Sequence, residues 1–385
     1  MRLRGRTLRV IGLASSSLLV AGLIVLAGPA AVPAAPCATW GAQPPHVGPS
    51  DDLIYGVDGT SSCDVWMVGN DNDGVADRTL IYRMTPAGWK VQASANALGN
   101  SYLNGVSAVS PALAWAVGSS VNGPLPGRTL VERWNGKVWK VQSSPNVGSS
   151  FNTLQGVDGT SATNAWAVGN YLAGVSRQAM ILHWNGRAWK VQKTFVANGS
   201  AEALLFQVSA TSAKNAWAVG EANDRTVILH WNGKSWKRQA SPNVGSEESG
   251  LDAVSAVSAT NAWAVGTFRE ATHLRTLVLH WNGKRWRVQA SPSPGSGLFD
   301  DALTGVSATP AGAWAVGNAL DANGSTTLIL RWTGSKWVRQ ASPDLDTTAP
   351  LSNVLSGVVA ISASNVWAVG TFSGSPIEPA AFHCC

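Results

Sequence analysis

The sequence predicts a seven-bladed, all-β propeller whose ring is closed by an N-terminal strand that completes the C-terminal blade. Three observations carry this expectation. A unit of about 50 residues recurs seven times, each unit reads as four short strands, and the seventh unit stops one strand early. The 40 Gly and 19 Trp in 385 residues are unusual numbers, and the repeat accounts for both.

The recurring phrase is clearest from Gly156 to Gly169 (GVDGTSATNAWAVG), followed after a variable stretch by Met180 to Gln192 (MILHWNGRAWKVQ). Its first tryptophan returns as Trp66, Trp115, Trp166, Trp217, Trp263, Trp314 and Trp367, at intervals of 46 to 53 residues. Strand A is Leu-x-Gly-Val-Ser-Ala-like, with small residues suited to a crowded central axis. Strand B is Ala-Trp-Ala-Val, ended by Gly. Strand C is Leu-Ile-Leu-His-Trp, rich in β-formers, and the Asn-Gly that follows marks a turn. Strand D is Trp-Lys-Val-Gln, and the Ser-Pro after it cannot continue a central strand. Helical periodicity and helix-stop signals are absent beyond the first residues. A β-helix or open solenoid would have shorter repeats and terminal caps.

The two ends fit each other. The seventh unit reaches strand C at Phe382-His383-Cys384-Cys385 and lacks strand D. Joined to Cys37-Ala38-Thr39-Trp40, it reproduces the spacing from His183 to Trp189. Gln follows every strand-D Trp by three residues (Gln92, Gln142, Gln192, Gln239, Gln289, Gln340), and Gln43 follows Trp40 likewise. Both ends therefore build one blade, which removes free sheet edges. The tryptophans divide into seven on strand B, five on strand C and seven on strand D, the whole complement of 19. Met84 and Cys384 take the two remaining strand-C places. No Trp is left over for a stacking platform, so core packing is their expected use.

Residues 1–36 read as a secretory signal peptide and linker, with 37–385 as the propeller. Arg2, Arg4, Arg6 and Arg9 precede an apolar stretch, Val10 to Ala27, and small residues offer cleavage near 30–34. An uncleaved anchor helix and a lipid-modified Cys37 are the competing readings. Removing those four arginines lowers the formal charge from +6 to +2, so nucleic-acid binding is not implied. No later segment is long enough to span a membrane. The expectation is a secreted, extracytoplasmic monomer, and its Ala-, Gly-, Val- and Arg-rich leader suits a bacterial source.

In that oxidising setting the four cysteines are disulfide candidates. The splice brings Cys384 and Cys385 close to Cys37, so Cys37 is expected to pair with one of them. Cys63, on the A–B turn of the first blade, is expected to take the remaining partner, with free thiols or a metal site as the alternative. A basic residue precedes the strand-C Trp position in every unit: Arg83, Arg133, His183, His230, His280, Arg331 and His383. Seven-fold related side chains cannot converge on one atom, which favours a structural contact with a neighbouring Trp.

Recognition is expected on the face that carries the B–C and D–A loops, where the units differ most. The candidate binding residues are Arg128, Tyr171, Arg177, Asp224, Arg225, Arg269, Glu270 and His273. Nothing in their spacing demands general acid–base chemistry. Asp71, Asp73 and Asp77 resemble part of an Asp-rich calcium loop, although Gly69 stands at its opening position and no Glu closes it. No other cofactor is indicated.

The Ala-Val-Gly of strand B and the His-Trp-Asn-Gly-x-x-Trp of strands C and D resemble a degenerate kelch-type repeat with one Gly of its doublet missing. Over residues 37–385 the chain also resembles uncharacterised secreted propeller proteins of bacteria. The resemblance implies a fold and no activity. The function expected is binding or scaffolding of a carbohydrate, cell-wall polymer or protein. The alternative is a glycan-active enzyme with acids from several blades meeting at the central channel.

Overall fold

The computed structural model describes residues 39–45, 50–72, 74–95, 99–195, 202–245, 247–295, 299–345, 351–374 and 376–385. The proposed signal segment and Cys37 lie outside them. Blade I comprises Asp51–Ser61, Asp64–Asn72, Asp77–Thr85 and Gly88–Val91, and blade III comprises Asn152–Ser161, Asn164–Ala173, Ser176–Trp184 and Trp189–Phe195. The innermost strands of the others are Asn100–Ser110 (II), Ala203–Ser212 (IV), Ser249–Ser258 (V), Asp301–Thr309 (VI) and Leu351–Ser362 (VII). Each blade is an antiparallel four-stranded meander, and each innermost strand touches the next around the ring, blade VII against blade I included. Blades VI and VII are further joined by a short parallel pairing of Gly324 and Ser325 with Leu351 and Ser352.

Closure follows the expected splice. Gly41–Ala42 pairs with Glu378–Cys384 in the register Gly41 to His383, and the Gln43 N–H donates to the Ala381 carbonyl at 2.7 Å. Blade VII is then fastened to blade I: Trp89 Nε1 donates to the Gln43 carbonyl (2.9 Å), and Ser356 Oγ to that of Ile54 (2.8 Å).

Between blades the repeated unit is a wedge. The strand-B Trp of each blade projects into its successor and meets that blade's strand-C and strand-D tryptophans. Trp166, for example, has Trp231 at 4.9 Å, tilted, and Trp236 at 5.0 Å, edge-on. Where Met84 and Cys384 replace the strand-C ring, Trp367 meets Trp89 and Trp314 meets Trp40. Such aromatic pairs are worth about 0.5–1.5 kcal/mol each beyond their buried area. Sixteen tryptophans are buried and Trp89, Trp281 and Trp332 are half-buried, as core packing requires.

The basic column caps these wedges. His183, His230, His280 and His383 stack on the strand-B Trp of their own blade at 4.0–4.1 Å. Each Nε2 bonds an Asn carbonyl oxygen, as His183 does with Asn164 at 2.9 Å. Burial lowers the pKa of all four. Arg83 lies 4.6 Å over Trp66 and is paired with buried Asp64 at 2.7 Å.

The Gly that ends every Ala-Val-Gly has a steric cause. Each innermost strand bulges by one residue opposite it, for example between Leu154 and Gly156. A Cβ on Gly169 would fall on the Thr153 carbonyl oxygen, and one on Gly118, Gly220 or Gly370 would meet the equivalent carbonyl.

Cys63 and Cys385 are exposed free thiols, which corrects the expected second bridge. Cys63 sits on its exposed turn with Ser62 as a side-chain neighbour, and no second sulfur is in reach. Cys384 is buried and disulfide-bonded. We propose Cys37 as its partner, since the chain holds four cysteines and two of them are free.

Two predictions follow from this architecture. Non-reducing peptide mapping should recover Cys37 linked to Cys384 and find Cys63 and Cys385 open to alkylation. Gly169→Ala should lower stability in urea unfolding by about 2–4 kcal/mol, through backbone displacement at the bulge. Gly148→Ala, at a left-handed residue with open space around it, should cost only about 1 kcal/mol.

Candidate functional site

The bulges create the site. At each one a single residue of the innermost strand drops out of the ladder and lines the central channel: Tyr55, Asn104, Gln155, Phe206, Asp252, Thr304 and Ser356. The position is the variable x of Leu-x-Gly-Val, while the Gly after it permits close approach of adjacent strands. A Cβ on Gly105 would lie 2.8 Å from the Gln155 carbonyl oxygen. The ring therefore holds its frame constant and changes one channel residue per blade. Asn104 and Thr304 spend their side chains on the neighbouring blade's carbonyls, Leu154 at 2.8 Å and Leu355 at 2.5 Å.

Beside the channel, of about 240 Å³, blades II and III carry a groove of about 280 Å³. Asn104 and Gln155 line both. Tyr102, Phe151 and Tyr171 supply aromatic surface, Asn170 and Thr153 polar groups, and Arg177 a cation. Asn170 Oδ1 accepts from the Leu205 N–H (3.0 Å), and Tyr102 donates to Asp77, so both are committed to the frame. Gln155, Tyr171 and Arg177 make no hydrogen bond or ion pair with the described residues, and Phe151 is 38% exposed. Those four side chains are the ones left for a ligand.

The expected binding residues divide accordingly. Tyr171 and Arg177 come together in this groove. Arg128 is exposed on the B–C hairpin of blade II, outside the groove lining. Asp224, Arg225 and Arg269 border a shallow depression over blades IV and V with Glu247 and Glu248. There Arg269 is held by Glu248 at 2.7 Å, and Asn223 and Asp224 both have positive φ (54° and 58°), forming the tight turn of a two-residue hairpin. Glu270 pairs with buried Arg275 at 3.3 Å, and His273 Nδ1 lies 3.5 Å from Asp300. Most of the blade V charges thus neutralise one another.

Of the three calcium candidates, Asp77 is already engaged by neighbouring side chains. Asp77 accepts from Asn70 (3.0 Å), Asn72 (2.9 Å) and the Tyr102 hydroxyl, and Asn72 Oδ1 caps Gly74 in an ordinary turn. Asp71 stands on strand B of blade I, opposite Asp52 and Arg78, and Asp73 lies outside the described residues. Among the described residues no group of three His, Cys, Asp or Glu is arranged to hold a metal.

Among the described residues lining the channel, acids from several blades are not brought together, although Glu221 of blade IV is near enough to Asp252 to raise its pKa. Asp252 is the single carboxylate among the channel's described lining residues, and burial pushes its pKa up to about 7. Two carboxylates facing one bond, as glycoside hydrolysis uses, are not formed there. Asp58 and Asp158 serve another purpose. Asp58 Oδ2 accepts the Ala108 N–H of the next blade at 2.8 Å, and Asp158 Oδ2 that of Ala210 at 2.6 Å. Ser107, Ser209, Ser255 and Ser307 do the same at 2.9–3.0 Å. Val359 occupies the seventh place and cannot accept, so Gly59 N–H turns to its own Asp58 instead (2.8 Å).

The channel residues and Phe151 were missed from sequence; the readable signal was the one variable position inside an otherwise repeated strand A. No family model matches the chain, and no curated protein matches it. Among solved structures it is similar to YCF48 from Cyanidioschyzon merolae, at 15% identity over 90% of this chain and 98% of that one, with a TM-score of 0.54. A structure described as YCF48 bound to D1 peptide matches at 14% identity, over 71% and 79% of the two chains, with a TM-score of 0.43. A protein of unknown function from Dyadobacter fermentans matches at 9%, over 87% and 94%, with a TM-score of 0.49. The likeness is one of fold.

Asp158 yields a pH test. Burial raises its pKa from 3.8 to about 7, so its contribution to stability is full below about pH 4 and is lost as pH rises through 7. Serine accepts the same N–H without a charge in four other blades. Asp158→Ser should therefore gain on the order of 2–4 kcal/mol relative to the parent at about pH 8 and nothing near pH 4, read as thermal midpoints. The four buried histidines titrate alike in both proteins and cancel.

Proposed function

We propose that this chain is an extracytoplasmic binding propeller that holds a carbohydrate chain in the groove over blades II and III. One observation carries the reading: Phe151, Tyr171, Gln155 and Arg177 line one groove of about 280 Å³, and the polar groups of the last three are not taken up by a side-chain hydrogen bond or ion pair with the described residues. Aromatic faces suit the C–H faces of sugar rings, an amide suits their hydroxyls, and a free guanidinium suits an acidic substituent. Asn104 and Gln155 line both the groove and the channel, so a chain held in the groove would border the channel. Export is supported by the Arg-then-apolar leader and by a cysteine in disulfide form. The kelch-like pattern bears on blade architecture only.

Retention on a panel of acidic and neutral cell-wall polysaccharides should show binding without released sugar. Tyr171→Ala and Arg177→Ala should each weaken it on the order of tenfold, with the thermal midpoint unchanged for Arg177→Ala. Soluble sugar products would replace binding with catalysis. Retention that ignores both variants would move the site elsewhere, and failure on every polysaccharide would leave a protein as the partner to seek.

A further inference from the structure

The formal charge of this chain conceals a division by face. Among the described residues, no exposed Asp or Glu lies on the A–B turns, the C–D turns or the outermost strands. The acids on that side, Asp58, Asp64, Glu132 and Asp158, are buried and hydrogen-bonded. The exposed charges there are cations. Lys137, Arg187, Lys234, Lys284 and Lys336 stand on five successive C–D turns, all exposed. Lys90, Lys140, Lys190, Lys237 and Arg287 occupy one register position on the outer strands, each opposite a member of the basic column. None of these ten has a carboxylate partner.

The turn cations are placed by a built device. In four blades an Asn side chain accepts the two following backbone N–H groups at 3.0–3.1 Å, as Asn135 does from Lys137 and Val138, around a left-handed Gly. In blade VI Thr333 accepts from Lys336 in its place. Lysines on outer strands also guard sheet edges against pairing. Either sign of charge would serve that purpose, and it places no demand on the turns.

We propose that the C–D turn face is a docking surface for an anionic lipid bilayer. Its cations ring the end of a disc, an arrangement that meets a flat surface at many points; a linear polyanion would follow a groove. Each Lys or Arg near an anionic membrane contributes about 1 kcal/mol, so five turns together suffice for salt-sensitive attachment. The chain enters the propeller from this same side, because Trp40 directly precedes the outer strand of blade VII. The B–C and D–A loops, with the groove, then face away from the membrane.

The test is co-sedimentation of the full chain with phosphatidylcholine vesicles, with and without phosphatidylglycerol. Binding should require phosphatidylglycerol, fall away at about 0.5 M NaCl, and weaken on the order of tenfold or more when Lys137, Arg187, Lys234, Lys284 and Lys336 are all changed to Glu. Thermal unfolding checks that the variant folds. Arg177→Ala, on the opposite face, should bind vesicles as the parent does, which separates this surface from the carbohydrate groove. Equal binding to both vesicle types, or binding indifferent to the five charges, overturns the proposal, since the apolar leader alone would produce it. Charge-dependent retention on heparin without vesicle binding overturns it in favour of a soluble polyanion. Salt-sensitive stacking of copies without vesicle binding overturns it in favour of self-association.

Discussion

The insertion of one indole per blade into the following blade is the contact on which the ring depends. A four-stranded meander cannot bury both of its faces alone, and the strand-B Trp is what each blade lends to the next. Trp66, Trp115, Trp166 and Trp217 are fully buried although they sit three residues from an exposed turn. They achieve this because the neighbour's two tryptophans close over one side and the blade's own His or Arg closes over the other. Partial burial lowers the pKa of the histidines, which stack as flat rings and hydrogen-bond an Asn side chain. In four blades the indole wedge and a stacked, hydrogen-bonded His–Asn pair thus meet at one point.

Given that contact, the inner ring has little freedom. Adjacent innermost strands come so close that five blades place Gly at the approach and blade V places Ala, with Gln207 of blade IV the exception, and the bulge beside it needs the strand-B Gly. What the bulge releases is a single side chain that no longer pairs, pointing into the channel. Variation there costs the fold little, which is why Tyr55, Gln155, Phe206 and Asp252 can differ so widely on one frame. The exception to regularity is the junction of blades VII and I. There Val359 replaces the Ser or Asp that would bond across, and apolar contact among Val359, Trp367 and Met84 takes over. Bonds from Trp89 and Ser356 complete the closure.

Most of this was legible because repetition converts weak local signals into a strong one. The Trp spacing, the trailing Gln and the missing last strand were enough to place both termini in one blade. The bulge was not legible, since it depends on where a carbonyl of one strand lies against a Gly of another. For the same reason the unused side chains of the groove could not be told from the used ones. Asp224 borders the depression over blades IV and V from a tight turn, while Glu270 lies 3.3 Å from Arg275 and His273 3.5 Å from Asp300. Free and committed polar groups have identical letters, and only the partners distinguish them.

The segregation of charge has the same origin, although it was within reach. A total of +2 beyond the leader suggests a nearly neutral surface, yet the acids lie on the loops that join B to C and D to A, and the cations on the turns and outer strands. Assigning each charge to its strand position would have revealed two faces of opposite sign. A propeller makes such sorting easy, because every repeat contributes one turn to the same rim and a bias of one residue per repeat becomes a field. Asn-Gly followed by Lys or Arg is a small preference in one blade. Repeated around a disc, with no exposed Asp or Glu among the described residues of that side to offset it, the preference gives the turn side a positive field.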